Sequence, residues 1–352
     1  MKIALDATYS LDRNPSGVGV YCREILNGLA LSHPEASFLF CYRIHRFLKS
    51  WRAALPANAR RAVLRETGFG RWWGPWSAEL FHGLNQRLPR TRFRRAVATF
   101  HDLFVLTGDY STPEFRERFS RQAREAASRA DLIIAVSRFT ASQVEQLLRV
   151  EPARLRVIHH GVGVLPCSDP PPREKMVLHV GAIQLRKNIG RLVEAFGRMP
   201  AEWRLVLAGG CGYGAAGILE QIERSPRRAS IQVAGYVTGG QLAELYARAS
   251  IFAFPSLDEG FGMPVLDAMA NGVPVVAGAR SALPEVCGDA ALLVDPTDTD
   301  ALAAALTRLA EDEILRRRLC ALGLDRARQF SWEKAAASTW EVYRELLGAR
   351  SM

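Results

Sequence analysis

Residues 256–270 read SLDEGFGMPVLDAMA, and the strand-like run IFAFP (251–255) leads straight into them. Pro264 falls where a first helical turn accepts a residue without an N–H. The segment therefore predicts a strand, a glycine-rich loop carrying Glu259, and a helix carrying Asp267. Free backbone N–H groups around Gly262 and Met263 would point into the loop, where the positive pole of a helix favours a phosphate. One carboxylate stands ahead of that pole and one behind it, each able to accept hydrogen bonds from sugar hydroxyls. The arrangement suits a sugar joined to phosphate.

Outward from this segment, short apolar runs alternate with amphipathic helical stretches, the pattern of parallel sheets with crossover helices and hence of an α/β fold. The first half offers KIALDA (2–7), SFLFCY (37–42), AVATFHD (96–102), LIIAVS (132–137) and LRVIHHG (155–161) as strands. Helices are expected over 18–32, 113–130 and 138–148, the last capped by Ser137. The second half offers MVLHVGA (176–182), RLVLAGG (204–210), SIQVAGY (230–236), SIFAFP (250–255) and VPVVAG (273–278). Ligands are expected at the carboxyl ends of such strands. Between the halves, LPCSDPPPRE (165–174) carries three consecutive prolines and reads as an extended linker. A chain of 352 residues exceeds what one core usually serves. Two Rossmann-like domains are therefore expected, over 1–165 and 175–330, joined by a linker at 166–174. The stretch 331–347, with Trp332, Ala336, Trp340, Tyr343 and Leu347 at helical spacing, is expected to pack across a domain junction.

Apolar residues make up 48% and charged residues 23%, which excludes a disordered chain. The net charge of +10 is one-sided: residues 1–165 hold 25 Lys+Arg against 14 Asp+Glu, net +11, while residues 166–352 hold 21 against 22, net −1. That asymmetry suggests an anionic partner for the first half. The alternative is a general preference for arginine, since only five of the 46 basic residues are lysines. No aromatic-basic RNA signature or helix-turn-helix is present in the sequence, so no nucleic acid is expected. Six scattered cysteines have neither CxxC nor His-flanked spacing, which suggests neither zinc nor a disulfide framework. MKIALDATYS carries Asp6 within its apolar run, unlike a signal peptide, and no run approaches the ~20 apolar residues of a membrane span. A cytoplasmic protein is expected.

Three further constellations carry chemistry. In GAIQLRKNIGRLVEAF (181–196), Arg186 and Lys187 directly precede a helix opening at Asn188, and cations and helix pole would converge on one anion such as a diphosphate. The competing reading is two solvated charges. In NPSGVGVYCREILNGLA (14–30), Gly17 and Gly19 lie between the first strand and its helix, where backbone can approach a phosphate or sugar, or simply turn tightly. His101 and Asp102 end a strand at the edge where α/β proteins place catalytic groups. His82 reads as structural, and His159 and His160 as structural or interdomain. GFGRWWGPW (68–76), with Arg71, Trp72, Trp73 and Trp76, reads equally as a membrane-interface segment or a packed aromatic loop. TRFRRA (91–96) is similarly open between headgroup contact and a solvated loop.

Taken together, the glycine loop, ATFHD, AVSRFT, GAIQLRKN, GYVTGGQL, PSLDEGFGMPVLDAMANGVPVV and ALPEV, in this order, resemble the retaining glycosyltransferases of family 4 along nearly the whole chain. The resemblance implies a GT-B fold, two Rossmann-like domains with parallel sheets facing across a cleft, the N-terminal one binding acceptor and completed by the helix in 331–352. It is similar to bacterial polysaccharide and lipopolysaccharide mannosyltransferases. Glu259 would then bind donor sugar hydroxyls, Asp267 the ribose, and Arg186 and Lys187 the diphosphate. Gly262 and Met263 would add backbone donors, Tyr236 and Val237 would border the base, and His101 would stand beside the reacting sugar. Gly17 and Gly19 would face diphosphate and acceptor. The implied reaction moves a hexose from a nucleotide diphosphate sugar, GDP-mannose favoured over UDP-sugars, with retention and without a metal or other cofactor. A polyprenyl-diphosphate-linked or soluble glycan would accept it, and the basic half would contact an anionic inner membrane face. Asp267 stands where the family commonly has Glu, Gln184 and Leu185 where an acidic residue and Pro are usual, and Ala182 where some relatives have Arg. A sugar-nucleotide epimerase and a non-catalytic nucleotide-binding module are the alternatives.

Overall fold

The computed structural model describes residues 1–12, 15–64, 78–91, 93–163 and 170–348. The aromatic segment 68–76 lies outside the described residues, as do Arg92, Cys167 and residues 164–169 of the expected linker.

The chain forms two compact units. The first comprises Met1–Leu106, Pro113–Gly161 and Ser331–Met352, the second Thr107–Thr112 and Val162–Phe330. In the first, the order is β1 (Lys2–Asp6), α1 (Gly17–Ser32), β2 (Ser37–Arg43), α2 (Ile44–Ser50), β3 (Ala59–Leu64), β4 (Leu80–Gly83), β5 (Ala96–Phe100), α3 (Phe104–Thr107), α4 (Pro113–Arg129), β6 (Leu132–Ala135), α5 (Arg138–Leu148) and β7 (Leu155–Val157). These strands pair in parallel in the order β3-β2-β1-β4-β5-β6-β7. Because helices cover both faces of a parallel sheet, its strands are apolar on both sides, and Ile3, Ala4, Leu5, Ile133 and Ile134 are all fully buried.

The second unit runs β8 (Glu174–Val180), α6 (Ile189–Phe196), β9 (Arg204–Ala208), α7 (Ala215–Glu223), β10 (Ile231–Gly235), α8 (Gly239–Arg248), β11 (Ala249–Phe254), α9 (Met263–Ala270), β12 (Val275–Gly278), α10 (Leu283–Cys287), β13 (Ala291–Val294), α11 (Thr299–Glu311) and α12 (Glu313–Ala327). Its parallel sheet is ordered β10-β9-β8-β11-β12-β13. The turns after β8 and β9 press together so closely that a Cβ on Gly209 would lie 2.0 Å from the Gly181 carbonyl oxygen. Only glycine fits there.

The last helix, α13 (Trp332–Gly348), packs on the first unit. A Cβ on Gly28 of α1 would come within 2.9 Å of Ala336. Tyr343 is fully buried, and its hydroxyl lies 2.6 Å from His82 Nδ1, while Arg156 grips Glu345 with two nitrogens. Ser137 caps α5 as its sequence predicts, its Oγ accepting from Thr140 N at 2.9 Å.

Each sheet has more strands than the sequence reading supplies. ARRAVL of β3 carries two arginines, LFHG of β4 has only four residues, and ALLV of β13 is as short, so none stands out as an apolar run. The run at 155–161 in turn supplies a strand only over Leu155–Val157.

Candidate functional site

In the second sheet the strand order reverses between β8 and β11, which are neighbours although β9 and β10 intervene in sequence. At such a switch point the connections leave in opposite directions and open a crevice beyond the strand ends. Two loops enter it. After β8 comes a single tight turn, Leu185–Lys187, and after β11 comes the loop that holds Glu259. The backbone N–H of Leu257 donates to the Arg186 carbonyl at 2.8 Å, tying the two together.

Across that tie, Glu259 lies between the two cations. Lys187 Nζ is 2.5 Å from its Oε1 and Arg186 Nη1 is 3.1 Å from its Oε2. Arg186 also donates to the Asp258 carbonyl. Ser256 Oγ stands 2.5 Å from Glu259 Oε1, and the Glu259 N–H donates to Ser281 Oγ at 3.0 Å. Lys187 Nζ further lies 4.6 Å from the centre of the Phe254 ring, which stacks on the fully buried His179. Both cations are buried, so they are not the solvated pair that spacing alone allows.

Burial by itself would raise the Glu259 carboxyl. The charges of Arg186 and Lys187 and the hydrogen bonds from Lys187 and Ser256 overcome it and hold the group at about 2. Glu259 is thus a carboxylate at any physiological pH. Two fixed cations set side by side at the strand ends have the chemistry to hold a diphosphate. Nearby Asp258 is raised by burial, against the lowering effect of the Thr107 hydrogen bond and Arg186. His179 is lowered to about 4, first by burial, so it is neutral, with Nδ1–H donating to the Ala253 carbonyl at 2.9 Å.

The helix after the loop opens at Met263 with Gly262 as its N-cap at φ +112, and Pro264 occupies the first turn. A side chain on Gly262 would be strained and would meet Leu283 at 2.8 Å. Asp267 is buried on α9, and its Oδ1 accepts the Gly163 N–H at 2.7 Å. The shorter side chain thus already has a backbone partner from the segment that opens this unit. Tyr236 is exposed and Val237 half-buried, just beyond the end of β10 and before the Thr238–Gln241 capping box of α8.

In the first unit, Gly17 and Gly19 are not in a loop ahead of the helix. Ser16 caps one residue earlier than expected, both glycines fall in the first turn of α1, and the Gly19 N–H points at Ser16 Oγ at 3.4 Å. His101 is buried just past the end of β5, with its Nε2 3.0 Å from the Leu84 carbonyl. Burial lowers it to about 4 although that carbonyl pulls it up, so the ring is neutral. A carbonyl only accepts; Nε2 therefore carries the proton and Nδ1 presents a lone pair. Tyr21 meets His101 edge-on at 4.7 Å, and His160 stacks on it at 5.4 Å. His82 is fully buried between Tyr343 and Thr99, a structural histidine.

Sequence reading does not pick out Ser256, Asp258, Ser281, His179 or Phe254 as parts of the site. Ser256 and Asp258 lie inside the quoted motif and carry a usable signal; Ser281 is one of many serines, and its φ of +56 is visible only in the fold.

Residues 15–164 match the model of Glycosyltransferase Family 4, and residues 168–321 that of Glycosyl transferases group 1. Escherichia coli O-antigen chain mannosyltransferase B is 36% identical over 284 residues, which cover 76% of this chain and 74% of that protein. The chain belongs to glycosyltransferase family 4. Solved structures match this glycosyltransferase along its whole length. Sucrose-phosphate synthase from Thermosynechococcus elongatus aligns with a TM-score of 0.80 at 22% identity, covering 99% of this chain and 100% of that one. Anabaena HepE in complex with UDP and glucose aligns with a TM-score of 0.75 at 18% identity, covering 97% and 98%. These neighbours place the glycosyltransferase in the GT-B fold, consistent with its two Rossmann-like units. Among the described residues no group of three or more His, Cys, Asp or Glu could hold a metal ion, and no helix is long and apolar enough to cross a membrane.

Proposed function

We propose that this glycosyltransferase carries mannose from GDP-mannose to a glycan, free or linked to polyprenyl diphosphate, in cell-surface polysaccharide assembly, with retention at the anomeric carbon. The observation that carries the reading is the buried Arg186–Glu259–Lys187 cluster at the switch point of the second sheet. Its two cations suit a diphosphate, and its permanently ionised carboxylate suits sugar hydroxyls. The choice of mannose is supported by the likeness to the O-antigen chain mannosyltransferase.

Arg186 and Lys187 stabilise the diphosphate as its charge develops, a contribution realised mainly in the transition state. Glu259 orients the hexose. The N–H groups of Gly262 and Met263 open α9 and add donors for phosphate. Tyr236 and Val237 border the base, and Asp267 takes the ribose. Gly17, Gly19 and the neutral His101 serve the transferred sugar and acceptor, His101 Nδ1 accepting from a hydroxyl. In the transfer, the bond from the anomeric carbon to the phosphate oxygen breaks. The acceptor oxygen bonds to that carbon on the same face, and its proton passes to the departing phosphate. Work on a lipid-linked acceptor places the protein at the cytoplasmic face of a membrane.

The test is a thermal-shift series with GDP, GDP-mannose, UDP and UDP-glucose, followed by product analysis with GDP-mannose and a lipid-linked acceptor. A ligand that binds only the folded chain raises its melting temperature. GDP-mannose should do so, an α-linked product should form, and Lys187→Met should abolish turnover in a chain that stays folded but melts lower. No shift with any nucleotide sugar would refute the transferase site; a shift confined to UDP-sugars would refute the donor.

A further inference from the structure

Helix α2 carries a surface that none of this uses. Phe47 packs on the first unit's core and Ser50 is fully buried, which fixes the helix on the sheet. Ile44, Leu48 and Trp51, at helical spacing i, i+4 and i+7, face outward and are 74%, 80% and 66% exposed. Trp51 stays in helical geometry, and the Arg61 guanidinium sits 4.8 Å over its ring, holding the indole in place. His45, Lys49 and Arg52 are exposed beside the apolar stripe and make no ion pair with a described residue. Across residues 43–64 there are six Arg or Lys and no Asp or Glu. The helix connects β2 to β3, the edge strand of its sheet among the described residues.

An apolar stripe flanked by cations of one sign matches the boundary between acyl chains and anionic headgroups. Three side chains fall well short of the roughly 800 Å² that each partner buries in a stable protein interface. We infer that α2 docks the protein on an anionic lipid bilayer, Ile44, Leu48 and Trp51 entering the interface while Lys49, Arg52 and Arg60 meet lipid phosphates. This gives the membrane-side reading above a definite surface, yet it rests on α2 and not on the donor site.

Vesicle flotation of the full chain tests it, with phosphatidylcholine alone and with phosphatidylcholine containing phosphatidylglycerol. The wild type should float only with the anionic vesicles. Lys49→Ala with Arg52→Ala should weaken partitioning about 30-fold, from about fivefold per basic residue. Leu48→Glu should weaken it at least as much, and both variants should keep the wild-type melt and turnover of a soluble acceptor. Two results overturn the inference: no binding of wild type to anionic vesicles, or variants that float like wild type. A wild-type dimer in light scattering that Leu48→Glu splits would overturn it too, by making α2 a self-association face. A chain that floats but ignores nucleotide sugars upholds α2 and sinks the transferase reading alone.

Discussion

Replacing Glu259 with Gln tests whether the cluster at the switch point exists as an ionised unit. The folded carboxyl titrates at about 2 against 4.5 when unperturbed, a difference that corresponds to about 3 kcal/mol. Its sign follows from which state binds the proton more readily. The folded value is the lower one, so the unfolded chain takes up the proton first as pH falls. The stabilisation is therefore complete well above pH 4.5 and drains away toward pH 2. Gln resembles the protonated acid, and it takes from Arg186 and Lys187 the carboxylate they share. Urea denaturation should accordingly find the variant about 3 kcal/mol less stable at pH 7 and about half that at pH 3. The denaturant slope should be alike in both chains, because the exposed area on unfolding is the same. A gap between wild type and variant that stays constant from pH 7 to pH 3, or widens, would refute the clamp.

Two further substitutions probe the scaffold. Tyr343→Phe removes the hydroxyl beside His82 and leaves a ring nitrogen of that neutral, fully buried histidine without its partner, at a cost of about 1–3 kcal/mol. Hydrogen exchange should accelerate across α13, and unchanged exchange would mean that the packing of Trp340 and Arg156 with Glu345 holds the helix alone. Gly209→Ala drives a methyl into the Gly181 backbone oxygen, which cannot step aside as a side chain would, and should cost about 4 kcal/mol or more. Calorimetry should then lose the transition of the second unit and retain that of the first; two intact transitions would disprove the contact.

The elements legible in the sequence are those whose burial matches their composition. KIALD and SIFAF lie inside sheets covered on both faces and read as unbroken apolar runs, and Ser137 announces α5 through its cap. Strand β3 escapes notice because, at the sheet edge, it keeps Arg60 exposed and Arg61 half-buried. Gly17 and Gly19 lie in the first turn of α1, which starts one residue earlier than expected, because a cap is decided by which serine oxygen reaches an amide, not by where glycine stands. At the site, Arg186, Lys187 and Glu259 stand out in the sequence, whereas Ser256 and Asp258 of the same motif do not, and no contact among them is legible. Lys187 and Glu259 are 72 residues apart, and no periodicity links them.

Alternation of apolar strands with amphipathic helices, and the order of short motifs along the chain, determined by themselves the α/β class and the likeness to family 4. Those are properties of local burial and local backbone chemistry, which leave their mark residue by residue. Tertiary structure alone decided that β8 and β11 lie side by side, that Arg186 and Lys187 are buried, and that both grip one carboxylate. The same desolvation that would neutralise a lone Glu259 strengthens its attraction to the two cations, and which effect wins depends on distances that only the folded chain sets.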